Sequence, residues 1–174
     1  AATDFIFIGA HDLAAFDHSQ AQKSKLPADY ERAAGWYRRF LAYFPADPES
    51  AERSFLLGEL LYEDSRFAEA SVEYEKTAYS YPAHDKSADA GYAALLAFAQ
   101  QEKRAATAEV PGLQRAGVDS ALRFATRFKG DARIGSVLSN AAEKLFALKN
   151  VDQAASVAQQ VLALNPLAAA AERK

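Results

Sequence analysis

Ala33-Ala-Gly-Trp-Tyr37-Arg-Arg-Phe40-Leu-Ala-Tyr-Phe-Pro45 and Ala70-Ser-Val-Glu-Tyr74-Glu-Lys-Thr77-Ala-Tyr-Ser-Tyr-Pro82 share one pattern. A small residue is followed four, seven and twelve positions later by Tyr, by Phe or Thr, and by Pro. The pattern returns at Ala154, Ala158, Val161 and Pro166, and more loosely at Gly117, Ala121, Phe124 and Lys129. The closing positions 45, 82, 129 and 166 are 37, 47 and 37 residues apart. Self-similarity at such a period marks stacked supersecondary units, none of which buries its apolar face alone.

Each repeat has a partner segment upstream. Phe55-Leu-Leu-Gly58-Glu-Leu-Leu61-Tyr62 surrounds a small Gly58 twelve residues before Ala70, and Leu138, Ala141, Ala142, Leu145 and Phe146 place Ala142 twelve before Ala154. Small residues at both places let two helices approach closely where they cross. Helix starts are signalled at Asp47-Pro48-Glu49, Asp64-Ser65, Asp131, and Asn150 with Gln153. The expected fold is all-α, with helices 4–17 and 28–44, 48–63 and 66–81, 85–101 and 115–129, and 132–148 and 151–164 in antiparallel pairs. The repeats span about 1–46, 47–83, 84–130 and 131–166, and 167–174 opens a further helix. Tyr37, Phe40, Phe44, Tyr74, Tyr81, Phe124 and Phe128 lie at helical spacing and are expected in the core between repeats.

The first and third repeats depart from this spacing. Counting twelve from Gly9 reaches 21, whereas the small residue is Ala33; from Leu95, the counterpart of Gly58, it reaches 107, whereas Gly117 is the match. Long loops are therefore expected around Ser19–Pro27 and Glu102–Gln114, on the edge where such insertions serve binding or are tolerated at little cost.

Of 174 residues half are apolar and a quarter charged, a globular balance. Eight glycines and six prolines leave helix little interrupted. A net charge of −3 lacks the clustered basic surface that nucleic acid demands. No apolar run approaches the ~18 residues of a membrane helix. Cysteine is absent, which excludes disulfides and thiolate metal sites and fits a compartment where stray thiols are a hazard, although cytosolic proteins also lack cysteine. Methionine is absent too, so the chain is expected to be a piece of a longer protein.

The pattern resembles the tetratricopeptide repeat (TPR) family, whose signature runs Leu-Gly, then a later Ala, an aromatic four residues on, and Pro. The second repeat matches it with Leu57, Gly58, Ala70, Tyr74 and Pro82, and the fourth with Ala142, Ala154 and Pro166. Ser54 stands where the signature has Trp, and the spacing of 37 exceeds the family's 34, the extra residues falling in Ala46–Ser50 and Ala83–Ser87. The longer spacing and the Phe-Pro or Tyr-Pro endings are similar to TPR proteins of the bacterial cell envelope, of the Tol–Pal and outer-membrane-assembly type. The resemblance implies a right-handed α-solenoid of about four pairs, in a periplasmic or outer-membrane-associated setting.

In such a stack the first helix of each pair lines a concave groove. Carried onto this chain, the groove positions are Phe55, Glu59, Tyr62 and Glu63, then Asp89, Tyr92, Leu96 and Ala99, then Ser136, Ser139, Glu143 and Phe146. Family members that grip a peptide carboxylate use Lys and Asn at places where Phe55 and Glu59 stand here, so the resemblance implies an apolar or basic polypeptide partner instead.

Candidates for chemistry are weaker. His11 and His18 are seven apart, about 10.5 Å along a helix and too far for one metal. Glu59 and Glu63 share a helix face, but local sequence supplies no pocket or charge to shift them. Arg123, Arg127 and Lys129, near Arg133, form a basic stripe that reads as a solvated face or as a contact for an anionic surface. Pro111-Gly112 reads as an isolated turn signal, without a phosphate-cradling loop around it. No catalytic, cofactor or metal residues are assigned. The expected function is a non-catalytic protein-interaction scaffold; the alternative is a structural spacer or self-association module.

Overall fold

The structure, a computed structural model, describes the backbone of residues 2–164 and the side chains of residues 13–164. Gly9, His11, Pro166 and the further helix expected at 167–174 thus lie outside what is described in side-chain or backbone detail. Among the described residues all regular structure is helical: α1 (Ala2–Ser24), α2 (Pro27–Tyr43), α3 (Ser50–Glu63), α4 (Phe67–Tyr79), α5 (Ser87–Arg104), α6 (Val110–Arg127), α7 (Ile134–Ala147) and α8 (Val151–Leu164). They form two compact units, Ala1–Ala97 and Phe98–Lys174, whose boundary falls inside α5.

Two kinds of turn recur, and each has a local cause. Within pairs, Lys25, Ser65 and Lys149 take φ of 57°, 63° and 63°, the left-handed conformation that ends many helices. Ser65 N–H donates to the Tyr62 carbonyl and Arg66 N–H to that of Leu61; Lys149 to Phe146 and Asn150 to Leu145 repeat the arrangement. Lys25 makes the simpler version, a single bond to Ala21. These bonds satisfy carbonyls that the helix end would leave open.

Between pairs, Asp47 Oδ1 accepts Glu49 N–H at 2.9 Å and Asp131 Oδ1 accepts Arg133 N–H at 2.8 Å. Ser50 N–H returns to the Asp47 carbonyl and Ile134 N–H to that of Asp131. His84 stands at the same place in the turn before α5. Its Nδ1 accepts Lys86 N–H at 3.3 Å, Ser87 N–H returns to its carbonyl, and its Nε2 lies 3.1 Å from the Thr77 carbonyl. His84 is thus a turn residue that mimics aspartate through its ring nitrogen. The start signals at Asp47 and Asp131 act here, three residues before α3 and α7, as turn formers rather than as side-chain caps.

The long loops expected in the first and third repeats are absent. α1 continues through Ser24 and α2 begins at Pro27, leaving Lys25–Leu26 as the whole connection. Ala14, Asp17, His18 and Ala21 are buried at i, i+3, i+4 and i+7, so the segment from Ser19 belongs to a packed helix. Across that pair His18 Nδ1 lies 3.0 Å from the Tyr37 hydroxyl. Likewise α5 runs to Arg104 and α6 starts at Val110, which shrinks the expected loop to residues 105–109. Pro111 occupies the first turn of α6, where its missing N–H costs nothing, instead of marking an isolated turn. Leu95 is half-buried, and the fully buried small residues of α5 are Ala90, Ala94 and Ala97.

In the N-terminal unit α1 packs on α2, α2 on α3 and α3 on α4. Its core gathers Ala33, Tyr37, Phe40, Leu57, Leu60, Leu61, Ala70 and Tyr74. The repeat positions Ala33, Ala70 and Gly117 are buried, as are Tyr37, Tyr74 and Phe124. In the C-terminal unit α6 packs on α7 and α7 on α8. There Ala154 is buried while Ala158 is exposed and Val161 half-buried, so the pattern is only partly used in α8.

Ala70 has no exposed surface and sits in this core. Replacing it with Leu adds three carbons to a filled space, and should lower unfolding free energy by about 1–3 kcal/mol. Urea denaturation of Ala70→Leu checks this; a midpoint equal to that of the parent would show that the repeat register is wrong.

Candidate functional site

α3 supplies four of the expected groove residues, all within the N-terminal unit. Phe55 and Tyr62 are half-buried. Phe55 lies 6.0 Å from the ring of Tyr74, and Tyr62 meets Phe67 edge-on at 4.9 Å. Each ring is therefore braced on its inner side with part of its surface in water. That is the geometry of a rigid anchor with little side-chain entropy left to lose on contact.

Local sequence shows no partner for the two carboxylates on this face, yet both are engaged from other helices. Glu59 accepts the Tyr74 hydroxyl, and Glu63 accepts Gln22 Nε2 at 2.8 Å. Gln22 Nε2 also lies 3.4 Å from His18 Nε2, and His18 Nδ1 is 3.0 Å from the Tyr37 hydroxyl. A polar string thus runs from the buried Tyr37 to the surface at Glu63. Burial pushes the Tyr37 phenol up to about 12, so it remains protonated at neutral pH. Tyr74 is raised too, first by burial and then by the adjacent Glu59.

Burial lowers the His18 pKa below its ordinary value, against the opposing pull of Glu63 and Glu59. The unfolded chain therefore takes up a proton at His18 more readily than the folded one. Stability from this group is complete above the unfolded value of about 6.5 and falls as pH drops through and below it. Urea midpoints measured between about pH 7.5 and 5 should decline less in His18→Gln than in the parent. Parallel declines would show that His18 does not carry the effect.

On α5, Asp89 is exposed, Tyr92 is half-buried and Leu96 is 44% exposed. Ala99, on the same helix in the C-terminal unit, is half-buried. Also in that unit, Phe146 is 62% exposed and Glu143 is exposed. The hydroxyls of Ser136 and Ser139 turn back onto their own helix, donating to the carbonyls of Arg133 and Gly135 at 2.9 Å each. Beside them is a cation absent from the expected lining: Lys144 is paired with Glu102, both mostly buried. Gly117 lies close by, a Cβ there meeting Lys144 Nζ at 3.7 Å and Phe98 Cβ at 3.5 Å.

The basic stripe is exposed at Arg123, Arg127 and Lys129, while Arg133 is held by Asp131 at 2.6 Å. Among the described residues no three His, Asp or Glu side chains gather as a metal would require. Among the same residues no helix is long and apolar enough to cross a membrane.

The braced aromatics Phe55 and Tyr62 are partly exposed, as the first-helix positions carried over from the resemblance imply. It missed the His18–Gln22–Glu63 string, whose last hydrogen bond joins residues 41 apart. It also missed the part played by Trp36, whose spacing from Arg32 and Arg39 on α2 was the available signal. No protein-family model matches the chain, and no curated protein is detectably similar to it in sequence.

Proposed function

We propose that the chain is a TPR-like right-handed α-solenoid of about four helix pairs that holds a polypeptide segment on its first-helix face, without catalysing a reaction. The observation that carries this reading is the braced, half-exposed state of Phe55 and Tyr62. Aromatic anchors of this kind dominate interface energetics. Their carboxylate neighbours Glu59 and Glu63, with Glu143 on α7, favour an apolar or basic segment over an acidic one and quicken its association. Asp89, Tyr92 and Leu96 extend this proposed lining within the N-terminal unit, and Ser139 and Phe146 are the corresponding first-helix positions proposed in the C-terminal unit. The bacterial cell envelope is the proposed setting, supported by the 37-residue spacing and the absence of cysteine.

The test is fluorescence anisotropy with a labelled peptide that alternates Leu or Phe with Lys. Phe55→Ala/Tyr62→Ala should bind it at least about tenfold more weakly, at more than about 1 kcal/mol for the two rings together. Circular dichroism would verify that the variant remains helical. Raising salt should weaken binding to the parent, since exposed charges are screened within about 10 Å at 0.1 M. Equal affinity of parent and double variant would remove these rings from the binding face.

A second reading, a spacer or self-association module, is favoured by one observation. α8 buries only Ala154 and Val157, and leaves Val151, Leu162 and Leu164 55%, 47% and 51% exposed. A repeat whose second helix is this exposed among the described residues calls for a cap or a neighbour. Light scattering that shows a concentration-dependent oligomer, lost in Leu162→Lys, would support this reading.

A further inference from the structure

α1 and α2 enclose a groove of about 550 Å³ on the N-terminal unit, separate from the proposed lining on α3. Its apolar surface is Leu13, 42% exposed, and Phe16, 59% exposed, from α1, together with Trp36 from α2. An exposed Leu and Phe beside a half-buried Trp form a contiguous apolar patch of the kind that marks contact sites.

The charges around this floor are arranged unequally. Asp17 is only 6% exposed and is used twice, accepting Trp36 Nε1 at 3.0 Å and Arg32 Nε at 3.0 Å. It fixes the indole and the guanidinium in place. Arg32 is further held by Asp29 at 2.9 Å. Glu31, also at the rim, is engaged by Arg38 and Arg66. Arg39 is the exception. Its guanidinium lies over the Trp36 ring, 4.9 Å from the centroid, and among the described residues it has no carboxylate partner. The groove therefore offers an aromatic floor and, at Arg39, a pre-positioned cation that no carboxylate among the described residues engages.

We propose that this groove docks a polypeptide segment in which a large apolar side chain is followed by an acidic one. The apolar side chain lies on Phe16 and Trp36, and the carboxylate meets Arg39 from the side that the indole leaves open. The guanidinium is already stacked, so little of its freedom is lost on pairing. Trp and Arg together are the residue types most enriched where interface energy concentrates. The partner chemistry is opposite in charge to that proposed for the α3 face, so the two sites are separable and this one does not rest on the other.

Trp36 is the chain's one tryptophan, which makes it an internal reporter. The experiment titrates the whole chain with a capped peptide that alternates Phe or Leu with Glu, and follows tryptophan emission. A saturable change is expected. The same peptide with Lys in place of Glu should bind about tenfold more weakly, and Arg39→Glu should reverse that order. Phe55→Ala/Tyr62→Ala should leave the titration unchanged. Arg39→Gln, which keeps a side chain over the indole, should lose most of the preference for Glu while the fold persists by circular dichroism. Equal responses to the Glu and Lys peptides in the parent would overturn the proposal, as would an absent response. Emission that shifts with protein concentration alone would also overturn it, by making a second copy the occupant.

Discussion

Phe124→Ala is expected to cost about 3–5 kcal/mol of unfolding free energy, among the largest losses a single truncation in this chain can cause. Phe124 is fully buried. Its ring lies 5.2 Å from that of Phe128, and the Arg133 guanidinium sits 5.7 Å from its centroid. The same arrangement occurs at Phe40, with Phe44 at 5.3 Å and Arg53 at 6.0 Å. In the second repeat the equivalent residue is Thr77, equally buried, yet it works by a different physics. Its hydroxyl donates to Ser54 Oγ at 2.8 Å and lies 2.9 Å from the Glu73 carbonyl, while Ser54 reaches Glu73 Oε1. Phe124→Thr should therefore be nearly as damaging as Phe124→Ala, because counting back from Leu95, the counterpart of Gly58, puts Gly91 rather than a serine at the place of Ser54. Urea denaturation of the two variants decides this; a Thr variant within about 1 kcal/mol of the parent would show that the repeat position accepts either solution.

That contrast explains how much of the fold could be read from sequence. The recurring small residues were legible because close helix approach allows few residue types, and Ala33, Ala70, Gly117 and Ala154 are all buried. Asp47 and Asp131 were legible as helix-start signals, because aspartate is favoured just before a helix, although their side chains shape the turn instead of capping it. His84 was not, although it stands 37 residues after one and 47 before the other, because its acceptor is a ring nitrogen. The left-handed turn residues Lys25, Ser65 and Lys149 carry no glycine or asparagine signal, so the sequence pattern ends helix α1 too early and makes its last turns look like a loop. In the candidate site, the half-exposure of Phe55, Tyr62 and Tyr92 agrees with the first-helix positions that the resemblance implies. The engagement of Glu59 by Tyr74 and of Glu63 by Gln22 did not, since each depends on which helix lies opposite.

Gly58 joins the fold to the proposed binding face, and its replacement carries the second large expected effect. A Cβ on Gly58 would lie 2.7 Å from Cδ1 and Cε1 of Tyr74, closer than side-chain carbons approach. Alanine favours a helix interior over glycine by about 1 kcal/mol, while forcing a methyl into a packed core costs about 1–3 kcal/mol. The clash involves a ring buried to 2% exposure, which has no free direction to yield, so the net change should be destabilising. The fourth repeat contains the compensated version, with Ala142 where Gly58 stands and Ala158 where Tyr74 stands. Gly58→Ala should thus cost stability in the parent but add some in a Tyr74→Ala background, a reversal of sign that a double-mutant cycle reads directly. The consequence extends to the surface, because Tyr74 donates to Glu59 and packs beside Phe55. If the α3 face binds a basic or apolar segment, Gly58→Ala should weaken that binding even at a temperature where the variant is fully folded. Unchanged affinity in a folded Gly58→Ala protein would separate the face from its support and argue that Tyr74 serves packing alone.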